Sequence, residues 1–158
     1  MAVAAKPIPE GYHTITPYLV VQSVADAMAF YQKVFGATER YRLSGPDGKS
    51  VIHGELQIGD SIFMLGAEDP SSECKSPLTL HGSAVTLYLY VDGVDAFFNR
   101  AVAAGAKAVM PVQDMFWGDR VGTVEDPFGH RWSVATHTED LSPEETTRRA
   151  VEFFSSKA

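Results

Sequence analysis

The chain has 158 residues, 45% of them hydrophobic, with 20 acidic against 13 basic side chains and a formal net charge of -7. That composition supplies a real core and excludes disorder as the main state. The acidic balance, with a pI near 5.1 and no basic patch, argues against a phosphate-binding surface, so no nucleic-acid partner is expected.

In chain order, Thr14 to Val21 reads as a strand. Ser23 follows as an N-cap, and the apolar spacing of Val24, Ala27, Met28, Tyr31, Val34 and Phe35 predicts a helix that Gly36 closes. Thr38 to Leu43, Val51 to Ile58 and Ser61 to Leu65 read as three short strands, separated by Gly45-Pro46-Asp47-Gly48 and Gly59-Asp60 turns. This βαβββ order recurs after a Pro/Ser-rich connector. Val85 to Val91 is the strand, Val94 to Ala104 the helix with Gly105 as its cap, and Lys107 to Val112, Val121 to Glu125 and Arg131 to Thr136 the remaining strands. Asp126-Pro127-Phe128-Gly129 joins the last two, with Asp, Pro and Gly at the turn positions that favour them. The repeat is also literal: YLVVQSV at 18–24 matches YLYVDGV at 88–94, and VFGA at 34–37 matches AAGA at 103–106.

The organisation expected is an N-terminal tail (1–13), a first module (14–69), a connector (70–83), a second module (84–140) and a C-terminal helix (141–158). Ser142, Pro143 and Glu145 give that helix a strong start, and its Val151, Phe153 and Phe154 are expected to pack on the body of the domain or on a second subunit. The fold class is α+β, with tandem βαβββ repeats forming a curved mixed sheet around a cleft, because one helix per sheet leaves the other sheet face uncovered. Cys74 cannot form an intramolecular disulfide, and Ser71, Ser72, Glu73, Lys75 and Ser76 around it indicate an exposed loop. No run approaches the roughly 20 apolar residues of a membrane helix, and Met1 to Glu10 lacks the features of a signal peptide. A cytoplasmic protein with no membrane contact is expected.

Two groups of residues could carry chemistry. His53 and Glu55, two apart on a predicted strand, point to one face, where they could act as base and orienter, as two metal ligands, or as a plain surface ion pair. Phe116, Trp117, Asp119 and Arg120 combine apolar contact with orienting charges, and Gly118 would let backbone approach a ligand; the alternative is a structural loop whose Asp119 and Arg120 pair with each other or with a neighbouring subunit. Tyr18, Tyr88 and Trp132 either flank a ligand or belong to the core. His13, His81, His130 and His137 lie in or near predicted connections and are expected to be exposed. No phosphate-cradling glycine loop and no nucleophile elbow is present.

The segments YLVVQSVADAMAFYQKVFGA, HGELQIGDSIFML and VGTVEDPFGHRWSV resemble the vicinal oxygen chelate superfamily of glyoxalase, bleomycin-resistance and extradiol-dioxygenase proteins, and ITPYL, HGELQIGDS and FWGDRVGTVEDPFGHRWSV resemble its PhnB-like branch. His53 is a candidate ligand contact from its strand position, and the resemblance implies a small-molecule cleft lined by Tyr18, Tyr88 and Trp132, with the loop Phe116, Trp117, Asp119 and Arg120 at its mouth. It further implies metal-ligand positions at Thr16, Thr86 and Ser133, with a fourth near Phe63 or Met64. None is a good ligand for a divalent ion, which needs carboxylate or imidazole. The reading that follows is a homodimeric binder of a small organic molecule without a metal cofactor. The runner-up is a metal-dependent lyase, isomerase or dioxygenase using His53 and Glu55, and a third possibility is a structural or regulatory dimer with no ligand.

Overall fold

A computed structural model describes residues 5–157; residues 1–4 of the expected tail and residue 158 lie outside the described residues. The chain divides into two compact units, Met1–Gly82 and Ser83–Ala158. Each carries one four-stranded mixed sheet with a helix packed on it.

In the first unit the order is β1 (Tyr18–Val21), α1 (Val24–Phe35), β2 (Thr38–Ser44), β3 (Val51–Ile58), β4 (Ser61–Ala67) and a short α2 (Pro77–Leu80). The sheet order is β1-β4-β3-β2, with β1 parallel to β4 and the other pairs antiparallel. The Ser23 hydroxyl accepts from the Asp26 amide to start α1, and left-handed Gly36 ends it. The six apolar residues singled out by helical spacing are the ones α1 buries. The first strand is shorter than expected. Pro17 offers no N–H to a ladder, its carbonyl accepts from Met64, and the Thr16 hydroxyl turns back to the His13 carbonyl.

The second unit repeats the arrangement with β5 (Thr86–Tyr90), α3 (Val94–Ala103), β6 (Lys107–Asp114), β7 (Asp119–Glu125) and β8 (Arg131–His137), in the order β5-β8-β7-β6. Then comes α4 (Pro143–Ser155). One glycine in each sheet marks where the helix comes closest. A Cβ on Gly54 would stand 2.6 Å from the Met28 sulfur of α1, and one on Gly122 would stand 2.8 Å from the Phe98 ring of α3.

The Asp126–Gly129 turn forms, with the Gly129 amide on the Asp126 carbonyl at 3.0 Å. Asp126 is more than a turn former. It is buried, and its carboxylate accepts from the amides of Phe128 and His130 and from the Trp132 indole. The C-terminal helix starts at Ser142 as expected. It buries no residue outright; Phe153 and Phe154 stack on Phe116, while Val151 stays exposed. Cys74 is exposed. Among the described residues no helix is long and apolar enough to cross a membrane.

Candidate functional site

Side chains alternate across a strand, so each sheet has a face under its helix and an opposite face. In the first unit Tyr18, Glu55 and Met64 stand in one row, and His53 follows two residues along β3. The His53 imidazole Nε2 is 3.3 Å from a Glu55 carboxylate oxygen, and the other carboxylate oxygen accepts the Tyr12 hydroxyl. Burial, reinforced by that carboxylate, pushes the Tyr12 hydroxyl above its ordinary range. The rings of Tyr18 and Tyr41 flank His53, with centroids at 5.9 and 6.3 Å. The two-residue spacing of His53 and Glu55 sets both on one face, and the two meet there. Tyr12, which precedes the first strand, is a member that local pattern could not supply.

In the second unit the corresponding face gathers around Asp119. This carboxylate is 3% exposed yet accepts four hydrogen bonds. Tyr88, Tyr90 and the Trp117 indole donate to Oδ2 at 2.9, 3.1 and 3.1 Å, and the His137 Nδ1 lies 2.7 Å from Oδ1. Burial alone would raise the carboxyl, but the bonds from His137, Tyr88, Tyr90 and Trp117 outweigh it and hold Asp119 below the usual carboxylate range. Burial, with Asp119 beside it, pushes the Tyr88 hydroxyl up to about 12. The other ring nitrogen of His137 reaches Asp140 at 2.9 Å. His137 is thus the last residue of β8 and a member of this cluster, and it stays half exposed, as expected. An open recess of about 330 Å³ adjoins it, lined by Tyr90, Val91, Asp92, Thr136 and His137.

Several expected site residues lie elsewhere. Arg120, next to Asp119, points to the opposite face and is clamped by Asp95 of α3 at 2.8 Å through two nitrogens and by Asp114 at 3.1 Å. It pairs with neither Asp119 nor an open surface. Trp132 is buried on the α3 side and held by Asp126, so it is core. Phe116 packs on Trp117 at 4.9 Å and on the aromatic end of α4, which makes it the seat of that helix. Gly118 does permit a close approach at φ +93°, but the approaching group is the Glu139 backbone, which a Cβ would meet at 2.4 Å. The Gly118 carbonyl accepts from the amides of Thr138 and Glu139.

The positions that the resemblance assigns to a metal do not make a donor set. Thr16 lies before β1, bonded to the His13 carbonyl. Phe63 is buried against Tyr31 of α1, leaving the Met64 thioether on the open side. In the second unit Thr86 is exposed, and the Ser133 hydroxyl is hydrogen-bonded to Thr123 at 2.9 Å. Neutral hydroxyls and a thioether fit a hard or borderline divalent ion poorly. Among the described residues no three His, Cys, Asp or Glu side chains are grouped to hold one.

Comparison with known proteins agrees with this fold. An uncharacterised protein of Mycobacterium tuberculosis is 42% identical over 134 residues, covering 83% of this chain and 78% of that one. The crystal structure of an Arabidopsis thaliana gene product superposes with a TM-score of 0.63 at 31% identity, over 78% of this chain and 98% of that one. The PhnB protein of Bacillus cereus, at 20% identity and a TM-score of 0.61 over 78% of this chain and 99% of that one, shares the fold. The family model of the Glyoxalase/Bleomycin resistance protein/Dioxygenase superfamily matches residues 11–134, and the chain belongs to that superfamily.

Proposed function

We propose that the protein is a PhnB-like, cytoplasmic homodimer that binds a small organic molecule against the helix-free faces of its sheets, without the superfamily's usual metal. The observation that carries this reading is the pairing of half-exposed aromatic rings with hydrogen-bonded carboxylates in both units. Tyr18 and Tyr41, 54% and 48% exposed, flank His53, which meets Glu55, and Tyr88 and Tyr90, 46% and 60% exposed, donate to Asp119. Such rings supply apolar contact, and the carboxylate-held hydroxyls fix orientation, which is the mixture that small-molecule sites use. The poor donor set at the family's metal positions supports the metal-free form of the reading.

Thermal unfolding across a panel of neutral and cationic organic molecules tests it. A ligand present at 100 times its dissociation constant stabilises the fold by about 2.7 kcal/mol. That shift should shrink in Tyr18→Ala or Tyr88→Ala. Stoichiometric metal in protein purified without chelator, lost in the His53→Ala/Glu55→Ala double variant, would instead overturn the metal-free reading in favour of the rival that the 3.3 Å His53–Glu55 contact leaves open.

A further inference from the structure

The cluster at Asp119 is built differently from a simple ligand wall. A buried carboxylate holds Nδ1 of a half-exposed imidazole at 2.7 Å, and three further donors on the other carboxylate oxygen prevent Asp119 from turning away. Asp119 therefore retains the Nδ1 proton, and the proton that leaves first is the one on Nε2. The partner there, Asp140, is fully exposed. Once the imidazole is neutral, nothing anchors Asp140 to it, and Nε2 becomes a bare acceptor beside the recess that His137 lines with Tyr90 and Asp92.

From this arrangement we propose that His137, oriented by Asp119, is a general base that removes a proton from a neutral or cationic carbon acid seated in the recess at the ends of β5 and β8. The C–H proton passes to Nε2, and the bonding pair either stays on the substrate as an enolate or forms a new π bond while an adjacent bond to a heteroatom breaks and that heteroatom keeps its electron pair. The imidazolium returns the proton to solvent, to the departing heteroatom or, for the enolate, to an adjacent carbon. The step needs no electron acceptor. An anionic substrate is disfavoured by Asp92, Asp140 and Asp119 together. The groups that meet the imidazole are Asp119 from β7 and Asp140 from the segment after β8, and Tyr90 at the end of β5 and Asp92 just beyond it line the same recess. The His137 pKa is raised by its bonds to Asp119 and then Asp140, which strengthens the base. This goes beyond binding and stands on the second unit alone, so it fails or survives separately from ligand capture.

The probe is 5-nitrobenzisoxazole, a neutral planar carbon acid. Loss of its C3 proton breaks the N–O bond, forms a nitrile and releases a coloured phenolate. The full chain should accelerate this reaction over buffer, with the rate rising through the pH at which nuclear magnetic resonance shows His137 to titrate. His137→Gln should lower the rate at least about tenfold while circular dichroism stays native, because the side chain is half exposed. Asp119→Asn should move the inflection to lower pH. His81→Asn, at the exposed left-handed cap of α2, should leave the rate unchanged. A His137→Gln protein as fast as wild type, or a pH–rate inflection away from the His137 titration, would overturn the proposal.

Discussion

Asp119 and Asp126 are both buried in the second unit, but they answer to different neighbours. Asp126 closes a turn on itself and grips Trp132, so Asp126→Ala removes the acceptor of two amides and an indole. A loss of about 3 kcal/mol is expected in urea unfolding, since each buried donor left unsatisfied costs about 1–3 kcal/mol. Asp119 faces the open side, and its partner His137 gives a pH signature. A raised imidazole adds stability that is complete below its unfolded value of about 6.5 and disappears as pH rises through the higher folded value. The urea midpoint of wild type should therefore exceed that of His137→Gln at about pH 6 and converge on it at higher pH; a gap that widens with pH would contradict the assignment. In the first unit, a Cβ on Gly66 would stand 2.1 Å from the Tyr18 hydroxyl. Because the obstructed atom is the tip of a half-exposed side chain, Gly66→Ala should displace that ring and weaken ligand binding with a stability cost of no more than about 1 kcal/mol.

The helices and sheets differ in how much of their placement local sequence carries. Helical spacing in 24–35 identified the buried face of α1 residue by residue, because one stripe of a helix meets one sheet. The Asp126–Gly129 turn likewise fixed the β7–β8 hairpin. Counting back from it along both strands sets Asp119 opposite His137, so the central contact of the second site is legible in the sequence once the last strand is extended by one residue beyond Thr136. For Trp132 the sequence leaves ligand wall and core both open, and for Arg120 it leaves pocket and structural pairing both open, because which face α3 covers depends on packing and not on local pattern. Tyr12 reaches Glu55 across 43 residues, and no periodicity encodes that. For Phe116 the sequence leaves pocket lining and a structural loop both open, because an aromatic in a loop carries no mark of what it will meet. Its packing on Phe153 and Phe154 predicts that Phe116→Ala loosens α4. Truncating a half-buried ring at that contact should cost about 2 kcal/mol, seen as faster hydrogen exchange across Pro143–Ser155 with the sheet amides little changed.

At the scale of the whole chain, duplication explains why the two units resemble each other and why their open faces do not. Both retain a first-strand tyrosine and a glycine under the helix, Tyr18 with Gly54 and Tyr88 with Gly122. The polar groups have diverged, to Tyr12, His53 and Glu55 in one and to Trp117, Asp119 and His137 in the other. Family membership supplies the scaffold and does not fix the chemistry, and the proposed ligand site rests on those diverged side chains. The central claim is that these faces hold an organic guest in place of a metal ion. Native mass spectrometry of the full chain, purified without chelator from its own host, reads this directly. The account predicts a small organic adduct that is lost in Tyr18→Ala or Tyr88→Ala; a stoichiometric metal ion retained through those substitutions, with no organic adduct, would contradict it.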